Sequence, residues 1–311
     1  MRAVLLATRK FPADFFVSSK IMITFAATED RHDMENGKYL DPKADLTFKK
    51  VFGEHEDLVM SLLNALLPLD EGKQIEHVEY MQPEMVPENP GKKNSIVDVR
   101  CRETGGRHFI VEMQMNWNQE FQQRVILNAS KAVIKQLGTS EDYSLLQPVY
   151  ALNLINDVGF QAGPDDFYHD YAIVNVAHTD RIIEGLRFVF VELPKFKPQT
   201  IKEKKMAVLW LRFLTEINKG TREAPKELLE NPETSKALKI LEKSAYSEED
   251  LYAYERYWDY VNYERGIVEG GYYKGKAEGK VEDALKMKSL GLPEDVIMQV
   301  TGLSAEEIAR L

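Results

Sequence analysis

The stretch that most constrains this chain runs from Ser95 to Gln114, SIVDVRCRETGGRHFIVEMQ, where two alternating apolar runs flank Gly105-Gly106. That pattern predicts a β-hairpin with a buried face. Val97, Val99 and Cys101 fall on one face of the first strand, and Asp98, Arg100 and Arg102 on the other. On the second strand Phe109, Val111, Met113 and Met115 share a face, opposite Ile110, Glu112 and Gln114. Residues directly opposed across an antiparallel ladder project from the same side, so turn length decides which faces merge. A two-residue loop would pair Asp98 with Met113. A three-residue loop of Thr104, Gly105 and Gly106, with one glycine in the left-handed region, sets Asp98 opposite Glu112. A bulge elsewhere in the hairpin gives the same parity.

Opposed Cβ atoms lie roughly 4.5 to 5.5 Å apart, a separation at which two carboxylates repel unless positive charge lies between them. A half-open acidic pair suits a hard divalent cation, which takes one or two carboxylates plus waters and substrate phosphate. Gln114 shares the face of Glu112; its amide can orient a water or a phosphate oxygen but cannot serve as a base. The same pattern also fits a solvated outer face carrying ordinary charges.

Asp98, then Glu112-Met113-Gln114 after a hairpin, with DLTFKKVFG at Asp45–Gly53 before and Leu193-Pro194-Lys195-Phe196 after, resembles the recombination-promoting nuclease family. Its members are often labelled transposases, and it belongs to the PD-(D/E)xK nuclease superfamily. The likeness spans about residues 39–200. It implies an α/β fold, a central mixed sheet flanked by helices in the order helix, three strands, helix, strand, and metal-dependent DNA cleavage. Carried onto this chain, the resemblance gives Asp98, Glu112 and the Met113 backbone carbonyl to the metal, Asp45 to a distal ligand position, with an equal reading as a first-turn carboxylate complementing the helix dipole, and Gln114 to the positioning of water or phosphate. The implied cofactor is Mg2+, with Mn2+ or Ca2+ as alternatives, and the implied partner is DNA. One position departs: the superfamily's usual final Lys is Gln114 here, which removes a positive charge. Lys49, Lys92, Lys93 and Arg124 are candidate DNA contacts, each with an ordinary reading as a solvated or structural charge.

The chain has 311 residues, enough for one substantial core plus a smaller unit. Its net charge of −10 argues against simple charge-driven capture of nucleic acid, although the distribution of charge matters more than its sum. The single Cys101 reads as a small buried hydrophobe, excludes an intrachain disulfide and is compatible with a reducing cytoplasm. No apolar run suits a membrane span.

Taken in order, residues 1–38 form a variable or disordered N-terminal segment, in which Met34 reads as the natural start. Residues 39–200 form the nuclease-like domain. There Asp41-Pro42 reads as a helix entry, Phe48 and Phe52 as a core pair, and Glu56 to Leu67 as an apolar-striped helix. Residues 75–86 read as a first strand, Asn118 as the cap of a helix reaching about Leu137, and Gln147–Asn156 as a central strand. Asp165, Asp166, His169, Asp170 and His178 match no metal spacing and read as loop or rim. Lys195 to Lys205 is the strongest local anion patch, but a solvated helix start is the preferred reading of this run. Residues 201–265 form a helical extension whose dense aromatics, Tyr252 to Tyr260, could stack on single-stranded bases but, set among acidic residues, read as helix packing. Residues 266–280 form a Gly-rich, flexible or weakly helical linker, and 281–311 a short helical tail with a Ser304/Glu307 capping box.

The resulting expectation is a metal-dependent DNA endonuclease acting in recombination or mobile-element biology. Two rivals stand beside it: a catalytically weak DNA-binding accessory protein, motivated by Gln114, and a non-enzymatic interaction protein acting through its C-terminal helices. Homo-oligomerisation through those helices belongs to the same expectation.

Overall fold

The computed structural model describes residues 37–85, 96–138, 140–198 and 205–311. The expectations for residues 1–36 and for Lys92 and Lys93 lie outside these residues. Strands β2 (Val99–Glu103) and β3 (His108–Gln114) pair antiparallel, with Val99 opposite Val111 and Cys101 opposite Phe109. Gly106 adopts φ +97°, donates its N–H to Glu103 at 2.9 Å, and Glu103 in turn donates to Arg107 at 2.9 Å. The three-residue loop with a left-handed glycine therefore forms. A Cβ on Gly106 would also stand 2.7 Å from Gln147 Cγ, so sterics and φ both demand glycine.

The hairpin is the middle of a six-stranded sheet with order β1-β2-β3-β4-β6-β5. The other strands are β1 (Val78–Tyr80), β4 (Val149–Ile155), β5 (Tyr168–Asn175) and β6 (His178–Glu192). β3, β4 and β6 run parallel, while β1 and β2 on one side and β5 on the other are antiparallel to their neighbours. β4 sits between two parallel partners and is buried at nearly every position, as its continuous apolar run predicts.

On one face of the sheet pack α1 (Asp45–Phe48), a π-helical turn over Lys49–Gly53, α2 (Glu56–Leu66), α4 (Lys205–Glu216), α5 (Lys226–Glu230) and α6 (Pro232–Ile240). They bury Val99, Cys101, Phe109, Val111, Leu152 and Leu154. Phe48 and Phe52 are the core pair the spacing predicts, with centroids 4.9 Å apart and Trp210 5.3 Å from Phe52. On the other face α3 (Phe121–Ile134) lays Phe121, Val125, Ala129 and Ala132 on Ile110, Ala151, Ile155 and Phe190. The hairpin's polar face is thus buried at Arg100 and Glu112, while Arg102 at its edge stays exposed.

Several local expectations are corrected. Val97 joins the α3-side core rather than the side of Val99 and Cys101, because the chain bends at Asp98 and breaks the period-2 alternation. His169 and Asp170 lie on β5 and His178 opens β6; β5 and the first half of β6 are polar and exposed, so no burial pattern marks their pairing, whereas the end of β6 enters the core. The first strand is shorter than expected, and the first helix begins at Asp45, with Asp41 spent on an ion pair to Lys43 at 2.8 Å. Asn118 is not a side-chain cap, since α3 begins after Glu120.

The anion patch is corrected at its first residue. Residues 199–204 fall outside the described ones, and Lys195 is buried against the fully buried Glu192 at 2.6 Å. Glu192 further accepts the Gly159 N–H at 2.7 Å and the Phe160 N–H at 3.1 Å, and lies 2.9 Å from His169 Nε2.

From Ser247, whose capping box with Asp250 starts it, α7 runs unbroken over Glu248–Ser289, about 63 Å at 1.5 Å per residue. Residues 266–280 are therefore helical. Their glycines weaken the helix locally, but both ends are held by packing. At the N-terminal end Tyr254, Leu251, Tyr257 and Trp258 pack with Leu40, Ala44 and Tyr246. At the C-terminal end Ala284 packs on Ile297 of α8 (Glu294–Thr301) and Ile308 of α9 (Ala305–Ala309). The Ser304/Glu307 capping box forms as expected. Among the described residues no helix is long and apolar enough to cross a membrane.

Candidate metal centre

The candidate site lies where β2 begins and β3 approaches its C-terminal end. Extending the ladder by one residue sets Asp98, in the bend before β2, opposite Glu112. The half-buried Asp98 carboxylate accepts the Met113 N–H at 2.7 Å. In a strand the N–H and C=O of one residue point to the same edge, so the Met113 carbonyl faces that side as well. Burial pushes the Asp98 carboxyl up to about 7; the Met113 bond opposes this, the Glu112 and Asp45 charges add to it, and Lys49 draws it down.

Glu112 lies on the α3 face and is 6% exposed. Burial raises its pKa, while the Asn128 amide and Arg124 oppose the rise. Asn128 Nδ2 donates to Oε1 at 2.7 Å, and the Arg124 guanidinium stands 3.9 Å from Oε2. Arg124 also donates to Gln114 Oε1 and lies 5.0 Å from the Phe121 ring centre. The Gln114 amide donates to the Asn116 carbonyl at 2.6 Å, so both of its polar ends are engaged. A positive charge therefore does stand beside Glu112 and Gln114, supplied by α3 rather than by β3.

Asp45 comes within electrostatic reach of Asp98 but is tied to Lys49 at 2.6 Å and is largely exposed. Its neighbour Lys50 docks α7, bonding Asp250 at 3.2 Å and lying 4.4 Å from the Tyr246 ring centre. The C-terminal helix forms a wall that the sequence does not reveal. Tyr257, Tyr260 and Val261 face Gln114, Asn116 and Arg124 across a cleft of about 440 Å³. Asn116 Nδ2 donates to the Val261 carbonyl at 3.5 Å, and the Tyr257 phenol is raised by burial and then by the Asp45 and Asp98 charges. Asn128 also escapes sequence reasoning; its one signal is an amide on an otherwise apolar helical face, four residues after Arg124.

Among the described residues no group of three or more His, Cys, Asp or Glu side chains is arranged to hold a metal. Asp98, Glu112 and the Met113 carbonyl are hard oxygen donors, fewer than a closed site needs, which fits a cation that keeps waters and substrate oxygens in its shell. A half-buried and a buried acid side by side also leave negative charge that a cation would offset.

Residues 42–268 match the family model of the PD-(D/E)XK nuclease family transposases. The chain belongs to this family. The mixed sheet with flanking helices is the architecture expected of a PD-(D/E)XK protein, and the matched span reaches into α7, including the wall residues Tyr257 to Ile267. Membership in the PD-(D/E)XK family suggests a nuclease-like function on DNA, with a divalent metal as the superfamily's usual cofactor. A search of curated proteins found no match, and a search of solved structures found none.

Proposed function

We propose that the protein is a metal-dependent DNA endonuclease that hydrolyses phosphodiester bonds in recombination or mobile-element biology. The observation that supports this best is the pairing of Asp98 with Glu112 beside the Met113 main chain, in a member of a nuclease family. Asp98, Glu112 and the Met113 carbonyl would hold Mg2+, or Mn2+ or Ca2+, with Asp45 as a distal ligand. The cation would supply electrostatic stabilisation of charge building on the phosphoryl oxygens. Gln114 would orient water or a phosphate oxygen, and Arg124, which holds the Gln114 amide, would keep a positive charge on the substrate side. Lys49, Lys92, Lys93 and Arg124 are the proposed backbone contacts to DNA, in keeping with recognition by shape and charge and with a cytoplasmic setting.

Supercoiled plasmid incubated with the protein in Mg2+, Mn2+, Ca2+ or EDTA tests the reading, beside folded Asp98→Ala and Glu112→Ala variants. Cleavage lost in EDTA and in both variants is expected. Metal-independent DNA binding without cleavage would instead favour an accessory protein. The engagement of both ends of the Gln114 amide is the observation behind that second reading.

Self-association through the C-terminal helices is part of the proposal. Tyr263, Ile267, Val268, Tyr272 and Tyr273 are exposed on α7. Solution mass with and without residues 270–311 tests it.

A further inference from the structure

The sheet-facing side of α3 is apolar at Phe121, Val125, Ala129 and Ala132, yet Asn128 interrupts it at 2% exposure. Asparagine is a poor helix former away from helix ends, and a buried amide costs free energy unless it is bonded. The hydrogen bond described for this side chain runs from Nδ2 to Glu112 Oε1 at 2.7 Å, while its Oδ1 has no partner among the described residues. Asn153, the β4 neighbour of Glu112, is fully buried and donates to the Ala151 and Val189 carbonyls at 3.1 Å each. Its Oδ1 is likewise unpartnered. Acceptor oxygens offer an ionised carboxylate nothing, so the Asn128 donor is the hydrogen bond that sets how Glu112 lies. A core position with no other task would be served by alanine or leucine.

We propose that Asn128 is a positioning residue for the Glu112 carboxylate. By holding Oε1 it fixes the carboxylate plane and leaves Oε2, which the Arg124 guanidinium faces at 3.9 Å, beyond hydrogen-bond distance, as the atom that takes a divalent cation. The inference rests on the metal-dependent nuclease reading and assigns a residue of α3 to that centre. Groups that orient metal ligands in this way typically change metal affinity by about 10- to 100-fold when removed.

The test is Mn2+ binding to the full chain without DNA, followed by the electron paramagnetic resonance signal of the free ion, which does not depend on turnover. Asn128→Leu removes the donor at similar volume, Asn128→Ala does so with less steric risk, and Asn128→Ser keeps a shorter donor. Glu112→Ala is the reference, and thermal melting checks each fold. The expected result is Mn2+ binding weakened roughly tenfold or more in the folded Leu or Ala variant, with partial recovery in Ser. Binding within about twofold of the wild type in those variants, while Glu112→Ala loses it, would overturn the role of Asn128 and leave the nuclease reading standing. No Glu112-dependent Mn2+ binding in the wild-type chain would overturn both.

Discussion

The Asp98 carboxylate accepts the Met113 main-chain N–H at 2.7 Å, fastening the bend before β2 to the residue that follows Glu112. Burial pushes its pKa up to about 7, above the unfolded value of about 3.9. Between those values the folded protein binds the proton more tightly than the unfolded chain. The stabilisation is complete below about pH 4 and is lost as pH rises through about 7. Metal-free wild type should therefore lose on the order of 2–3 kcal/mol relative to Asp98→Asn between about pH 5 and 8, since groups remote from Asp98 titrate alike in both proteins. Urea unfolding of both proteins across that range checks it. An equal pH dependence in the two would show that Asp98 titrates normally.

Arg124 bonds Gln114 and stands 3.9 Å from Glu112, bringing the positive charge that Gln114 lacks. Arg124→Gln should lower plasmid cleavage by roughly 10²-fold with little change in melting temperature, since the guanidinium is about half exposed. Gln114→Lys alone would set two cations together. Gln114→Lys with Arg124→Gln should retain more activity than either single change, which initial rates measured on one plasmid substrate would show.

Lys195 is buried against Glu192 and belongs to the interior rather than to an anion-binding face. Lys195→Ala leaves a buried carboxylate short of its charge partner and should cost roughly 3–5 kcal/mol in urea unfolding. The salt dependence of DNA binding, measured on the fraction that remains folded, should not change. A mild loss of stability with a shallower salt slope would return Lys195 to the surface.

Gly159 packs where a Cβ would overlap the Trp117 ring, and its N–H donates to Glu192 at 2.7 Å. Trp117 in turn stands 4.9 Å from Phe160 and lines the cleft beside Gln114. Gly159→Ala should cost about 1–3 kcal/mol through forced displacement of the indole. Tryptophan fluorescence would report the displacement, and an unchanged spectrum and stability would show that the contact yields freely.

The hairpin register was legible because two local facts coincide. Side chains alternate with period 2, and Gly106 permits the left-handed turn that sets Asp98 against Glu112. The burial of β4 and the apolar face of α3 were legible for the same reason, since a periodic pattern records which side meets a core. Asp98, Glu112 and Gln114 could be singled out from their spacing and from the family likeness, while Asn128 could not: a lone amide on an apolar helix has no period of its own.

What the sequence by itself determined is the local geometry: strand alternation, the glycine turn, the Ser247 and Ser304 caps, and the acids that the hairpin sets side by side. Tertiary structure alone decided that Lys195 is interior, that β5 extends the sheet, and that Asn128 and Arg124 reach Glu112. It also decided that the glycines of α7 stay helical and that Tyr257 walls the cleft. These outcomes depend on contacts between residues far apart in the chain, whose burial and electrostatic free energies exceed the local preferences that a sequence pattern records.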